Sequence, residues 1–288
     1  MARTENLSGL CVLLTREPKD NQELAKRIRS LGGAVVESPL IQIVQRPGEL
    51  LRQIGRGRAL IEAEIGRWFE QFTGLVVTSA NALDSLRDVF ERFPGLAALL
   101  PCFVVGARSA KEAQKLGLRV IHPPEVKTAH HLAVYLSEQR DIGPTSGMRF
   151  QEAPRRLLWL RGSLADLSFK HYLEETGFVV EDVVCYDTVA IELSRLAWDE
   201  VRAGRGVVVF YSPSAVSAFL GSPVVQEHPL QGELDVIAIG PTTAKALSDA
   251  GVSGVFMALE PRLEGVIDTL LKVHEKTYQR RDSSESTR

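Results

Sequence analysis

Short apolar runs alternate along the chain with segments whose apolar residues recur at helical spacing. The runs are Cys11–Leu14, Leu75–Thr78, Cys102–Val105, Leu157–Leu160, Phe178–Val184, Gly206–Tyr211 and Val236–Ile239. Several are valine-rich and unbroken, the pattern of strands buried on both faces of a parallel sheet. Most are followed by polar punctuation and then by a 3.6-residue period. Leu24, Ile28 and Leu31 share one helix face, as do Leu83, Leu86 and Phe90, and later Leu263, Val266, Ile267 and Leu270. Gly32-Gly33, Gly117, Gly177 and Gly251 stand where these helices would stop. The alternation predicts an α/β architecture built on parallel sheets.

The pattern occurs twice. Leu13-Leu14-Thr15-Arg16 is echoed by Leu158-Trp159-Leu160-Arg161, and Val77-Thr78-Ser79-Ala80-Asn81-Ala82 by Phe210-Tyr211-Ser212-Pro213-Ser214-Ala215. Val105-Gly106-Ala107-Arg108-Ser109-Ala110-Lys111 is echoed by Ile239-Gly240-Pro241-Thr242-Thr243-Ala244-Lys245. The offsets are 145, 133 and 134 positions. Three ordered matches at nearly constant offset mean one α/β unit used twice. A length of 288 residues agrees, since about 150 residues make an ordinary domain. Two stretches interrupt the pattern. Glu49 to Thr73 is charged and helical in character, with Leu60-Ile61 and Trp68-Phe69 as apolar anchors. Arg140 to Arg156 is rich in Gly, Pro and polar residues and reads as a surface loop. From Glu275 onward the polar composition predicts a disordered tail.

Charge narrows the partners. The chain carries 34 Lys and Arg against 36 Asp and Glu, a net charge of −2. Such a balance excludes the whole-protein basic field that holds nucleic acid, but leaves room for a local pocket for a small anion. Cys11, Cys102 and Cys185 are too scattered for a disulfide framework or zinc site and read as buried thiols. No apolar run reaches the length of a membrane span. The polar Met1–Ser8 segment lacks the apolar core of a signal peptide, which predicts a cytoplasmic protein.

Four strand-to-helix junctions share one composition: Thr78-Ser79-Ala80-Asn81, Gly106-Ala107-Arg108-Ser109, Ser212-Pro213-Ser214 and Gly240-Pro241-Thr242-Thr243. Each reads as a helix start capped by Ser, Thr or Asn, at the carboxyl end of a strand where α/β sheets bind ligands. Exposed N–H groups and the helix dipole favour carboxylate or phosphate there. Plain capping accounts for any one junction; four matched junctions in two repeats favour a shared anion-binding role. No GxGxxG follows a strand and no GxxxxGK[ST] occurs, which weakens a nucleotide-transferase reading. The six histidines have no HxH or HExxH spacing, and no GxSxG elbow is present. Neither a metal nor an activated nucleophile is expected. Tyr186 follows an apolar strand just before an expected change of direction. A half-buried packing residue and a phenol that donates a proton are both open to it.

Taken in order, several segments resemble the uroporphyrinogen-III synthase family over about Leu10 to Leu271. They are Leu14-Thr15-Arg16, Ser38-Pro39-Leu40-Ile41, Thr78-Ser79-Ala80-Asn81-Ala82, Val105-Gly106 with Ser109-Ala110, Val184-Cys185-Tyr186, Tyr211-Ser212-Pro213-Ser214-Ala215 and Ile239-Gly240-Pro241-Thr242-Thr243-Ala244. Ser109 stands where Thr is common, and Glu49–Thr73 is longer than the usual connection. The resemblance implies two similar domains, each a parallel sheet flanked by helices, joined by a two-stranded β ladder from Pro39–Gln45 and Cys185–Glu192. Domain one would comprise 1–42 with 190–274, domain two 45–186, and 275–288 the tail.

The resemblance also implies the chemistry. The substrate would be hydroxymethylbilane, a linear tetrapyrrole with many carboxylates, and the product uroporphyrinogen III of the haem pathway. Ring A loses its hydroxyl, and ring D is inverted through a spiro intermediate. Such a cyclising hydro-lyase would work without cofactor or metal, as a monomer, by conformational control and assisted loss of hydroxide. Tyr186 would assist that loss. Thr78, Ser79, Asn81 and Ser109 in one domain, and Ser212, Ser214, Thr242 and Thr243 in the other, would contact carboxylates. Arg16, Arg161 and Lys127 would supply charge, although a solvated surface charge suits each equally well. The competing expectation is a non-catalytic two-domain anion-binding or regulatory protein.

Overall fold

The structure, a computed structural model, describes residues 5–55, 61–139, 155–228 and 234–285, the side chains of 277–285 excepted. The chain begins with β1 (Leu10–Leu14), α1 (Pro18–Ser30), β2 (Ala34–Glu37), β3 (Ile41–Gln45), α2 (Glu49–Gly55), α3 (Glu62–Phe69) and β4 (Gly74–Val77). It continues through α4 (Asp84–Arg92), β5 (Pro101–Val104), α5 (Ala107–Lys115), β6 (Arg119–Ile121), α6 (Ala129–Glu138), β7 (Arg155–Gly162), α7 (Ser168–Glu175) and β8 (Phe178–Ala190). It closes with α8 (Arg195–Ala203), β9 (Arg205–Phe210), α9 (Pro213–Gly221), α10 (Pro223–Glu227), β10 (Asp235–Ala238), α11 (Pro241–Asp249), β11 (Val255–Met257) and α12 (Leu263–Glu285).

These elements form two compact units, one of residues 1–42 and 189–288, the other of 43–188. The first holds a sheet in the order β11-β10-β9-β1-β2, all parallel. The second holds the order β3-β8-β7-β4-β5-β6. Apart from β3 the two orders match strand for strand: β8-β7-β4-β5-β6 repeats β2-β1-β9-β10-β11. This is the structural form of the sequence repeat. Its halves follow one another in different order along the chain. The paired connectors that the resemblance implied are β3 and the end of β8, and β3 thereby forms the edge of the second sheet. Arg46 N–H donates to Cys185 C=O and Ile191 N–H to Leu40 C=O, so β3 runs antiparallel to β8.

Alternation of side chains along central strands builds a core on each face. In the first sheet, Leu13, Val208 and Phe210 pack with Trp198, Phe219 and Leu247 from α8, α9 and α11. Val12, Leu14, Val207 and Val209 face the other way, onto Leu24 and Ile28 of α1 and Val266 and Leu270 of α12. In the second sheet, Leu75, Val77, Leu158 and Leu160 face α2 to α5, while Val76, Leu157 and Trp159 face α6 and α7. All three cysteines are buried and free. The repeat extends to helix ends: Gly32 after α1 and Gly177 after α7 both turn the chain with positive φ, 85° and 89°.

Three local expectations change. The Glu49–Thr73 stretch does form helices, but Ile61 is 63% exposed, and Leu60 lies outside the described residues. The anchors are Leu50, Ile65, Phe69 and Phe72, placed by helical period against the second sheet, with Trp68 edge-on to Phe72. α12 continues to Glu285, past the point where a disordered tail was expected. Val273 and His274 are still buried at its middle, and no Gly or Pro follows to stop it. The surface loop expected before β7 lies outside the described residues as far as residue 154.

Packing at the start of β9 is tight enough to test. A methyl group on Gly206 would lie 2.5 Å from the carbonyl oxygen of Val201 and against Leu234. Gly206→Ala should therefore destabilise the protein by about 1–3 kcal/mol, the range for overpacking. Urea denaturation checks this, as a lowered midpoint at unchanged slope.

Candidate functional site

In each sheet the chain order reverses at the central pair, β1 with β9 and β7 with β4. The two crossovers leave such a pair on opposite faces, so the loops diverge and open a crevice beyond the carboxyl ends of the strands. Most of the residues singled out in the sequence lie at these two switch points or at the next strand end along.

In the unit of residues 43–188, Thr78 and Ser79 follow β4. Thr78 Oγ1 accepts from Trp159 Nε1 at 3.3 Å. Ser79 caps a 3-10 turn, Ala80–Leu83, with its Oγ accepting from Asn81 N–H at 3.4 Å. Asn81 presents its carbonyl to Gln45 Nε2 at 3.1 Å. This turn packs against α5, which carries Ser109. Ser109 is buried, and the cap of α5 is Gly106 with no side-chain hydrogen bond. Lys127 is exposed in the loop before α6, past the edge strand β6.

Tyr186 lies beside the same turn. The sequence placed it before a change of direction, but β8 runs on to Ala190 and the tyrosine sits within the strand. It is re-aimed by a bulge. Pairing of β7 with β8 is regular up to Arg161 opposite Val184, then shifts so that Gly162 lies opposite Tyr186. Strict alternation would send Cys185 and Tyr186 to opposite faces; after the shift both belong to the cluster facing α2 to α5. Tyr186 is 8% exposed, and the Ser79 side chain lies near its hydroxyl. Burial pushes the phenol above its ordinary range, the nearby Ser79 side chain pulls it back, and Cys185 adds to the rise. Ser163 N–H donates to the Tyr186 carbonyl at 2.9 Å. The next residue, Asp187, accepts two bonds from the Arg46 guanidinium, at 2.7 and 2.8 Å.

Arg161 ends β7 with its charge already engaged. Nε donates to Asp182 at 2.7 Å, and Lys170 reaches the same carboxylate at 2.6 Å. The two cations hold the Asp182 carboxyl below its usual range, against the opposing effect of burial. Arg161 is thus less open to a bound anion than its position suggested.

The unit of residues 1–42 and 189–288 repeats this plan with other side chains. Thr15 Oγ1 donates to Val209 C=O at 2.7 Å across the central pair. The Arg16 guanidinium stacks 4.4 Å from the Tyr211 ring centre. Ser212 caps α9, accepting from Ala215 N–H at 3.2 Å, and Ser214 is half-buried in the first turn. Thr242 is exposed and Thr243 buried at the start of α11, whose cap is Gly240 with no side-chain hydrogen bond. Only two of the four junctions are therefore capped by their own hydroxyl. At the other two a glycine occupies the cap, with no side-chain cap hydrogen bond among the described residues. Asn21 is fully buried and donates from Nδ2 to Arg16 C=O, while Oδ1 has no partner among the described residues.

Known proteins place this arrangement. The family model for uroporphyrinogen-III synthase HemD matches residues 22–268. The chain belongs to the uroporphyrinogen-III synthase family.

A curated relative of that family, the porphyrin biosynthesis protein HemD of Ruminiclostridium josui, is 24% identical over 273 residues, 93% of this chain and 49% of its own. The chain thus spans about half the length of that relative. Uroporphyrinogen-III synthetase from Helicobacter pylori shares the fold with TM-score 0.55 at 20% identity, over 92% of this chain and 99% of that one. A mutant uroporphyrinogen III synthase from the extremely thermophilic bacterium Thermus thermophilus does so with TM-score 0.63 at 16% identity, over 93% and 99%. Among the described residues, no group of three or more His, Cys, Asp or Glu is placed to hold a metal, and no helix is long and apolar enough to cross a membrane.

Within this uroporphyrinogen-III synthase fold, sequence reasoning passed over Gly162, Asp182, Asp187 with Arg46, and Tyr211 as a partner of Arg16. The glycine directly after Arg161 was the available signal for the bulge. The ion pairs join residues far apart in the chain and left none. A methyl group on Gly162 would lie 2.6 Å from the Tyr186 ring. Gly162→Ala should cost about 1–3 kcal/mol. In a Tyr186→Ala background the same change should cost far less, a non-additivity that denaturant titration measures.

Alkaline pH gives a second check. Burial pushes the Tyr211 phenol up to about 12, although Arg16 opposes the shift. The unfolded chain releases this proton near pH ~10, the ordinary tyrosine value, while the folded protein still holds it. Above that pH the unfolded state binds fewer protons, so stability is lost as pH rises toward the folded value. Tyr211→Phe should flatten the fall in denaturation midpoint over this alkaline range, measured against the parent at each pH.

Proposed function

We propose that the chain is a uroporphyrinogen-III synthase in action as well as in family, a carbon–oxygen hydro-lyase that cyclises hydroxymethylbilane to uroporphyrinogen III. The observation that carries this reading is the setting of Tyr186: a buried phenol, re-aimed by a bulge and with its ring packed on Gly162. Loss of hydroxide from ring A needs a proton at the leaving oxygen. Like any tyrosine, Tyr186 keeps its proton at neutral pH, and a phenol is able to give it. The released hydroxide leaves as water, and the electron-poor carbon it vacates accepts the substituted carbon of ring D.

Closure through the spiro intermediate competes with closure to the symmetric isomer, so the protein must also hold the chain in one geometry. We assign this to the strand ends of both units. Ser79, Asn81 and Ser109 with Thr78 offer one set of groups, and Ser212, Ser214, Thr242 and Thr243 the other. The glycine-capped starts of α5 and α11 offer N–H groups suited to carboxylates. Arg16 and Lys127 add charge; Arg161 acts chiefly through its pair with Asp182. The reading takes the working form as a monomer in the cytoplasm, which size-exclusion chromatography and cell fractionation check.

The direct test supplies hydroxymethylbilane made in situ by its deaminase, followed by oxidation and separation of isomers. The type III isomer should dominate; type I alone, at the uncatalysed rate, overturns the reading. Tyr186→Phe should lower turnover by about 10²-fold. Its stability should fall by no more than about 1 kcal/mol, because the ring's packing is retained and one hydrogen bond is lost.

A further inference from the structure

We propose that Tyr211 is a positioning residue for Arg16: its ring holds the guanidinium at the carboxyl ends of β1 and β9, where the unneutralised charge takes a carboxylate of the substrate. The inference rests on the reading of the chain as an active cyclase. That reading lets Arg16 add charge; the new element is Tyr211, which fixes where that charge stands.

The frame is built from the backbone outward. Three successive carbonyls at the end of β1 are each taken by a donor. Leu14 C=O accepts from Ser38 N–H at 3.1 Å, and Thr15 C=O from Leu40 N–H at 3.2 Å. Arg16 C=O accepts from Asn21 Nδ2 at 2.7 Å. Asn21 is fully buried near the start of α1, so this last donor is itself fixed. The Thr15 hydroxyl crosses to Val209 C=O and ties the same corner to β9. Tyr211 directly follows β9 and is held from both sides. Phe210 C=O accepts from Ile239 N–H at 2.9 Å, and Ser212 caps α9. Both corners are thus set by the sheet. Between them the guanidinium carbon of Arg16 lies over the tyrosine ring, 4.4 Å from its centre.

The charge is what sets this arginine apart. Arg161, its match in the sequence repeat, gives its charge to Asp182. Among the described residues the Arg16 guanidinium forms no ion pair and no hydrogen bond. The nearest acid in sequence, Glu17, is paired with Lys19 at 2.6 Å. An aromatic ring attracts a cation through its quadrupole, yet leaves the charge unneutralised and the N–H donors unspent. A guanidinium held in this way can offer two parallel N–H groups to a carboxylate, which a compact ammonium cannot. Holding it before the ligand arrives also lowers the entropy that a long side chain loses on binding. The role asks for the ring of Tyr211 and makes no use of its hydroxyl.

The test compares Tyr211→Leu, Tyr211→Phe, Arg16→Gln and the double variant Arg16→Gln/Tyr211→Leu in the isomer assay over a series of salt concentrations. Thermal melts establish folding, and Tyr211→Gln replaces Tyr211→Leu if the leucine variant does not fold. Tyr211→Leu should raise KM about fivefold with little change in kcat. Tyr211→Phe keeps the ring and should restore most of that loss. Arg16→Gln should raise KM about tenfold. The double variant should match Arg16→Gln, because a residue acting through the guanidinium has nothing to do once it is gone. Added salt should raise the parent's KM, and less steeply in both Arg16→Gln and Tyr211→Leu, whereas a loss of packing alone would leave the slope unchanged. A separate readout needs no turnover: the porphyrin obtained by oxidising the product, titrated by its fluorescence, should bind the variants more weakly in the same order. Multiplying losses in the double variant, an unmoved KM in a folded Tyr211→Leu protein or an unchanged salt slope would overturn the proposal. A parent protein that makes no type III isomer overturns the reaction itself; an active parent with any of those results overturns only the role of Tyr211.

Discussion

Everything in this protein hangs on two parallel strand pairs whose partners lie far apart in the chain, β1 with β9 and β4 with β7. Parallel pairing forbids a tight turn, so each pair must be joined through crossovers that lay helices on both faces of the sheet. That is why the central strands are apolar on both sides and why each sheet divides its core into two clusters. The same constraint makes the functional end. At the central pair the chain departs to opposite faces, and the strand ends with their loops are left open to a ligand. Thr15, reaching across to Val209 C=O, ties one such pair where the crevice begins.

One bulge turns this generic crevice into a particular site. Without the shift between Arg161 and Gly162, strand alternation would direct Tyr186 away from the face that carries Ser79. With it, the ring lies on glycine, in a place no other residue opposite would leave. The flanking ion pair of Arg46 with Asp187 then fixes the strand on which it rides. The neighbouring charges are already matched: Asp182 takes both Arg161 and Lys170, so the strand end is rigid and its cations are spoken for. On the proposed reading, a polycarboxylate would then be held chiefly by backbone N–H groups and hydroxyls. That division suits a chain whose net charge is only −2.

The two units solve the same problem with different side chains. Where one stacks Arg16 on Tyr211, the other bonds Trp159 to Thr78. Of the four helix starts, Ser79 and Ser212 satisfy their own N–H groups, while Gly106 and Gly240 cap without a side-chain hydrogen bond. Thr243 and Ser109, expected as caps, are instead buried in the first turn behind those glycines. Caps and glycine starts therefore alternate in the same order in both repeats.

The sequence by itself determined the elements, the doubling and the strand ends at which the candidate residues stand. These follow from local periodicity and from repeated short segments, and both are written in consecutive residues. It also singled out the helix starts, Ser79 among them, as candidates, because strand-to-helix junctions carry recognisable polar residues. Tertiary structure alone decided what those residues do to one another. The register shift at Gly162, the pairing of Asp182 with two cations and the hold of Arg46 on Asp187 all join positions distant in the chain. Such contacts depend on how two strands are set against each other to within one residue, and no window along a single chain contains that relation.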